Sequence, residues 1–190
     1  PMVSLRGQIL YEGTTADAIA NISSVEFLRF SNLKFAGGDI FDEQKNEVII
    51  SKAVTRVLNI ENPIAIIGKE ISLSFLAVRV LESGQEELDL VVQDGTYTVK
   101  GVVDDDSASY LFFPLPKASG ISLDAFSQLK VRVHQTDDLD VVRNKILDMG
   151  FSVAALSDVI DQANKIFGIL QIILAIFGMV ALVVSAIGMF

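Results

Sequence analysis

The chain has 190 residues, 24 acidic against 15 basic, a net charge of −9 and no cysteine. The acidic excess argues against nucleic acid as a partner and against a polybasic grip on anionic lipid, and the lack of cysteine excludes disulfides and thiolate chemistry. All 39 charged residues fall within the first 165 positions, leaving the last twenty-five, Ile166 to Phe190, without any.

The opening "VSLRGQILYEGTTADAIANI" predicts a β-hairpin, Val3 to Tyr11 and Thr15 to Ile22, turned at Gly13. Ser23 and Glu26 then stand in capping-box relation before a short helix carrying Val25, Phe27, Leu28 and Phe30. "EVII" reads as a buried strand, and Ser51 as the cap of a helix with the apolar stripe Ala53, Val54, Val57 and Leu58. Beyond it, "EISLSFLAVRVL", "ELDLVV" and "TYTVKGVV" around the turn "QDGT", and "YLFFPL" predict a β-rich unit, with "ESGQEE" and "DDDSAS" in its hairpin loops.

Next, "SQLKVRV", "TDDLDVVRNKILDMG" and "FSVAAL" predict a β-α-β unit. Thr136 caps its helix, Asp137 and Asp138 favour the positive end, Leu139, Val142, Ile146 and Met149 line one face, and Gly150 suits the exit. The hairpin with its helix and the β-α-β unit would assemble one sheet layered by two helices, with the β-rich middle as an insertion, giving an α+β fold.

Ser157 and Asp158 start a last helix whose stripe of Val159, Ile160, Ala163, Ile166, Phe167 and Leu170 runs on into the uncharged segment with no proline or turn signal. Ile166 to Phe190 as a helix extends about 37 Å, enough to cross a hydrocarbon layer with some tilt. Continued from Asp158 the helix measures about 50 Å, leaving a stalk above the bilayer that couples head and span rigidly. Gly168, Gln171, Ala175, Gly178, Ala181, Ser185 and Gly188 recur at steps of three and four, a small-residue side suited to packing against other membrane helices. The chain begins at Pro1 and stops inside the apolar run, which reads as an excerpt of a longer protein.

Chemistry is sparse. His134, the sole histidine, lies in a predicted strand without a companion nucleophile or ligand and reads as structural. Asp104, Asp105 and Asp106 are successive rather than alternating, so they read as a solvated hairpin loop and not a calcium site. Asp137, Asp138 and Asp140 are accounted for by a helix start. "IGKE", Ile67 to Glu70, has neither the upstream glycine nor the hydroxyl after Lys69 that a phosphate loop needs. No catalytic residue, no metal site and no cofactor is expected in this chain.

The order of segments resembles the extracytoplasmic core domain of FtsX/MacB-type ABC transporter permeases over most of the length. The resemblance is carried by "SSVEFLRFSNLKFAGGDIF", "NEVIISKAV", "NPIAIIGKEISL", "YTVKGVVDD", "YLFFPL", "LKVRV", "VVRNKILDMGFSV" and "FGMVALVVSAIGMF", in that order. The chain departs from the family's pattern in the residues between Ile64 and Gly68 and in a short middle section. The resemblance implies a porter-like α/β layer from 1–32 and 122–156, an inserted β-rich lobe over 33–121, and a stalk and second membrane helix over 157–190. It further implies a multi-pass inner-membrane protein with residues 1 to about 165 outside the cytoplasm. The implied partners are an ATP-binding cassette ATPase subunit or fused domain, a second permease copy, membrane lipid and an extracytoplasmic protein. A relay of ATP-driven movement across the membrane is the activity it implies. The alternatives are a single-span sensor or binding module without an ATPase and, last, a membrane-tethered hydrolase.

Overall fold

The computed structural model describes residues 1–80, 86–118, 121, 125–135, 138–154 and 156–188, with the side chains of 78–80, 86–89 and 156–161 left aside. The hairpin forms as β1 (Met2–Tyr11) and β2 (Thr14–Ser23), paired from Met2↔Ser23 to Tyr11↔Thr14. Its turn puts Glu12 at φ 46° and Gly13 at φ 82°, the left-handed pair whose twist matches two antiparallel strands. Strict alternation sends Val3, Ile9, Ala16, Ala18, Ala20 and Ile22 to one face and Arg6, Gln8, Asp17 and Ile19 to the other.

The remaining strands are β3 (Phe35–Gly38), β4 (Glu47–Ser51), β5 (Glu70–Val80), β6 (Glu86–Val92), β7 (Tyr97–Val103) and β8 (Tyr110–Pro114). They run β3-β7-β4-β8-β2-β1-β5-β6, and β7 also pairs with β5 through Glu70↔Thr98 and Ile71↔Tyr97. The ring β7-β4-β8-β2-β1-β5 therefore closes on itself as a mixed six-stranded barrel, parallel at β4/β7 and β2/β8. The core is its interior: Ile9, Val48, Ile50, Ile71, Leu73, Phe75, Tyr97, Val99, Leu111 and Phe113 are all buried. Alanines on β2 and Gly7 on β1 leave room for the large rings that fill the interior; a Cβ on Gly7 would lie 3.0 Å from Cδ1 of Phe75, its cross-strand neighbour on β5. The helix α2 (Lys52–Val57), with Leu58 and Ile66, contributes Val54 to the same interior. A smaller cluster, Phe27, Leu28, Phe41, Ile49, Val103 and Phe112, packs outside the wall beneath α1 (Val25–Arg29).

The α+β class stands, but the two-layer sheet expected from the sequence does not form. Both edges of the hairpin are occupied by the middle of the chain, β1 by β5 and β2 by β8, so the hairpin shares its ladders with strands from 33–121, and none of the described residues of 122–156 forms a strand beside it. "SQLKVRV" finds an edge only where β1 outruns β5, and makes a single bridge, Met2↔Gln128. Residues 151–154 of "FSVAAL" are likewise not a strand, so the β-α-β unit is replaced by a lone helix, α3 (Leu139–Asp148). "QDGT" turns at Gly95, φ 80°, yet β6 and β7 do not pair, because β4 takes one edge of β7 and β5 with β3 the other. "ESGQEE" falls partly on 81–85, outside the described residues; β5 and β6 do pair on either side of it.

Caps differ by small steps. Ser24, not Ser23, caps α1, its Oγ accepting from Phe27 N at 3.4 Å, and Glu43 Oε1 accepts from Val25 N at 2.6 Å. Ser23 Oγ is buried with no partner among the described residues. Ser51 precedes α2 without a side-chain cap; its hydroxyl donates to Ala108 O and accepts from Tyr110 N, while Asp105 O receives Ala53 N. Val57, placed in the apolar stripe by its spacing, is exposed, and Thr55 is buried instead.

Residues Pro1–Val131 form one compact unit and Arg132–Phe190 another. In the second, α3 ends at Gly150, φ 86°, where Gly150 N donates to Leu147 O and Phe151 N to Ile146 O, a glycine exit of the Schellman kind. Asp138 stands at the start of α3 without a capping bond, and Thr136 and Asp137 lie outside the described residues. The last helix, α4 (Leu156–Gly188), runs 33 residues without a break, about 50 Å. Residues 149–154 before it are not helical, so the rigid rod begins at α4 and is not a continuation of α3.

Candidate functional site

Gln162–Gly188 of α4 is long and apolar enough to cross a membrane, and none of it is buried. Leu174, Phe177, Met179, Leu182 and Ile187 are each at least two-thirds exposed, an apolar surface that water disfavours and hydrocarbon accepts. The predicted small-residue positions Gly168, Gln171, Ala175, Gly178, Ala181, Ser185 and Gly188 all lie on this helix. At 100° per residue they fall within about 160° of its circumference, drifting steadily along the axis. A Cβ added at Gly168, Gly178 or Gly188 meets open space, so nothing among the described residues requires glycine there.

The extended stretch before α3 is fastened to the barrel at its start. Ser127 N and Gln128 N donate to Met2 O, Met2 N donates to Gln128 O, and Ser4 N donates to Ser127 Oγ. Two residues on, Lys130 Nζ donates to Ser31 Oγ at 2.6 Å and lies 4.5 Å from the centre of the Phe27 ring. Partial burial pushes the Lys130 ammonium below the usual lysine range. Met2, Asn21, Phe27, Tyr110, Phe112 and Lys130 line a groove of about 270 Å³ at this fastening. Sequence reading missed Lys130, because its partner Ser31 is 99 residues away and no local pattern signals the pair.

The aspartate run proves to be a fastening and not a bare hairpin loop. It joins β7 to β8, which are separated by β4, and Lys52 Nζ contacts Asp104 Oδ1 at 3.1 Å and Asp106 Oδ2 at 3.2 Å while Arg56 pairs with Asp106. Lys52 is raised, chiefly by its hydrogen bonds to Asp104 and Asp106. Asp105 turns the other way: Ser107 Oγ, Ser107 N and the Tyr110 hydroxyl all donate to it and hold its carboxyl below the usual range. Burial, then Asp105 itself, pushes the Tyr110 hydroxyl up. Lys52 and Arg56, four apart on one helix face, were the signal available for this cluster.

His134 is exposed in an irregular stretch rather than in a strand. Lys69 of "IGKE" follows Gly68, whose φ of 81° serves the turn into β5. Among the described residues no group of three or more His, Asp or Glu is placed to hold a metal ion.

No family model and no curated protein sequence matches the chain. Solved structures do. The periplasmic region of MacB from Actinobacillus actinomycetemcomitans is similar at 18% identity and TM-score 0.52, over 87% of this chain and 74% of that one. The extracellular domain of the noncanonic ABC-type transporter YknZ from Gram-positive bacteria is similar at 16% identity and TM-score 0.49, over 75% of this chain and 67% of that one. The chain thus has the fold of a MacB-like extracytoplasmic domain, and the resemblance read from the sequence holds at the level of architecture.

Proposed function

We propose that the chain is the extracytoplasmic head, followed by the start of the second membrane helix, of a multi-pass ABC transporter permease of the inner membrane. The observation that carries the reading is one unbroken helix of membrane-crossing length in a chain whose fold is that of the MacB periplasmic region. In this reading ATP is hydrolysed by a partner subunit or fused domain, and α4 relays the resulting movement to the head, which acts on a substrate or an extracytoplasmic protein. The chain itself performs no catalysis and holds no cofactor. The face of Gly168, Gln171, Ala175, Gly178, Ala181, Ser185 and Gly188 packs against sibling helices or a second permease copy, small side chains allowing close approach where lipid leaves no hydrophobic drive.

A single cysteine at Ala163, in a permease from which any cysteine outside these 190 residues has been removed, gives an unambiguous crosslinking position, since the 190 residues themselves hold none. Crosslinking yield between copies or to neighbouring helices is expected to change between nucleotide-free and ATP-bound complex. Equal yields in both states refute the relay. A full-length sequence with one apolar run and no companion ATPase would replace it with the single-span sensor.

A further inference from the structure

The strand β5 covers β1 only from Arg6 to Leu10. The edge of β1 nearer Met2 is taken by the end of the first compact unit, the stretch Ser127–Val131, through the single bridge Met2↔Gln128. The two neighbours of β1 are held by different forces. The strand β5 carries Leu73 and Phe75 into the barrel interior, both buried, so parting it from β1 would bring large apolar side chains into water. The stretch beside Met2 carries Leu129 and Val131, which are 61% and 62% exposed, and Phe126 just before it is exposed too. Its hold is polar: Ser127 N and Gln128 N on Met2 O, Met2 N on Gln128 O, and Ser4 N on Ser127 Oγ. Such bonds have a small net worth, because water replaces each lost partner.

Lys130 is the exception. Its ammonium donates to Ser31 Oγ at 2.6 Å, reaches Phe30 O at 3.5 Å, and stands 4.5 Å from the centre of the Phe27 ring. Phe27 itself is buried in the cluster beneath α1. A charge-assisted bond combined with a cation over an aromatic face outweighs any one of the backbone bonds beside it. The place of this contact in the chain matters as well, since Val131 is the last residue of the first unit and Arg132 the first of the second.

We propose that Ser127–Val131 is a strap that lifts from β1 as one local unit while the barrel stays closed, with the Lys130 ammonium on Ser31 and Phe27 as its latch. Lifted, its five residues add about 17 Å of extended chain between the barrel and Arg132. Lifting also takes Gln128 and Lys130 out of the groove that they line with Phe27 and Phe112. The strap belongs to the barrel's own edge and does not depend on the permease reading.

The test is amide hydrogen exchange of the whole chain in lipid nanodiscs, resolved by residue with NMR, with and without sub-denaturing urea. The reporters are the amides of Met2, Ser4, Ser127 and Gln128. The reference is the amide of Val99, which is buried in the barrel and donates to Lys69 O at 2.9 Å. After correction for intrinsic rates, the reporters are expected to exchange together, about a hundredfold or more faster than Val99, and without dependence on urea, because lifting exposes little surface. Lys130→Met keeps the apolar stem and removes the ammonium. It is expected to speed the reporters about tenfold or more while the Val99 rate stays the same, which also verifies that the variant folds. Ser31→Ala is expected to speed them several-fold, and Lys130→Arg, which retains the cation, to keep them close to the parent. Reporters as slow and as urea-dependent as Val99, reporters unmoved by Lys130→Met, or a Lys130→Arg variant as fast as Lys130→Met overturns the proposal.

Discussion

Phe113 offers the most direct test of the closed barrel. Its side chain is fully buried, packed edge-on against Phe75 at 5.0 Å and 81°, and tilted against Tyr97 at 4.9 Å. These three rings come from β8, β5 and β7, so they meet only if the wall closes. Truncation to alanine removes the buried ring and leaves a cavity, at about 3–5 kcal/mol, and it also ends two aromatic pairs of about 0.5–1.5 kcal/mol each, partly counted in that figure. A loss of about 4 kcal/mol is a large share of the 5–15 kcal/mol typical of a domain. Urea unfolding of the chain in mild detergent, followed by far-ultraviolet circular dichroism, should show the midpoint fall by about 2 M for a slope near 2 kcal/mol/M. Val92→Ala, at an apolar position 67% exposed on β6, should move it by no more than about 0.5 kcal/mol. If Phe113→Ala and Val92→Ala shift the midpoint alike, the interior described above is wrong.

Three further outcomes are expected. Gly101→Ala puts a Cβ 2.7 Å from Asp39 O and 2.9 Å from Phe35 Cε1, so β3 must detach or shift; thermal melting should fall by several degrees, whereas Gly168→Ala on α4, whose added Cβ meets open space, should leave it nearly unchanged. Asp105 is held below the usual carboxylate range by its hydrogen bonds, so its contribution is present above about pH 4 and lost as pH falls through its lowered folded value; Asp105→Asn should flatten the decline of the urea midpoint between pH 5 and pH 3. Leu174→Arg, in the middle of Gln162–Gly188, should cost about 2.5–3.5 kcal/mol of insertion, and the variant should appear in the alkaline-carbonate supernatant while the parent chain stays with the membrane.

Elements whose signal is local were legible in the sequence. Alternation and Gly13 give the hairpin, Gly150 the exit of α3, and an uncharged run the length of α4. Closure of the barrel was not, because it depends on which edges are left free. "TYTVKGVV" has the composition of a hairpin strand, but one edge is claimed by Glu47–Ser51 in parallel and the other by Glu70–Ile71 and Phe35–Gly38 in antiparallel, residues remote from the "QDGT" turn. The same competition for edges leaves "SQLKVRV" with one bridge despite its alternating Leu129, Val131 and Val133. Its Leu129 and Val131 remain more than 60% exposed, so alternation alone did not secure a partner. In the candidate site the membrane helix was readable to within two residues at its start, whereas Lys130 took its meaning from Ser31 and Phe27, partners across the fold.

For the proposed relay, the form of the connection to α4 decides what can be transmitted. A 33-residue helix resists stretching and bending along its own length, so displacement at its membrane end reaches Leu156 undiminished. Above Leu156 the chain is non-helical over 149–154, about 20 Å of reach if drawn straight. Such a connector passes tension once taut but allows rotation about its backbone torsions, so it conveys pulling and not torque. Tension carried further along the chain would meet the barrel at Ser127, Gln128 and Lys130, where four backbone-donated hydrogen bonds and one ammonium clasp hold the stretch. Those bonds hold to Met2 and Ser4 of β1 and to Ser31, just beyond α1, so the load would enter the wall chiefly through strand β1, whose ladder to β2 runs ten residues and is among the longest in the described barrel.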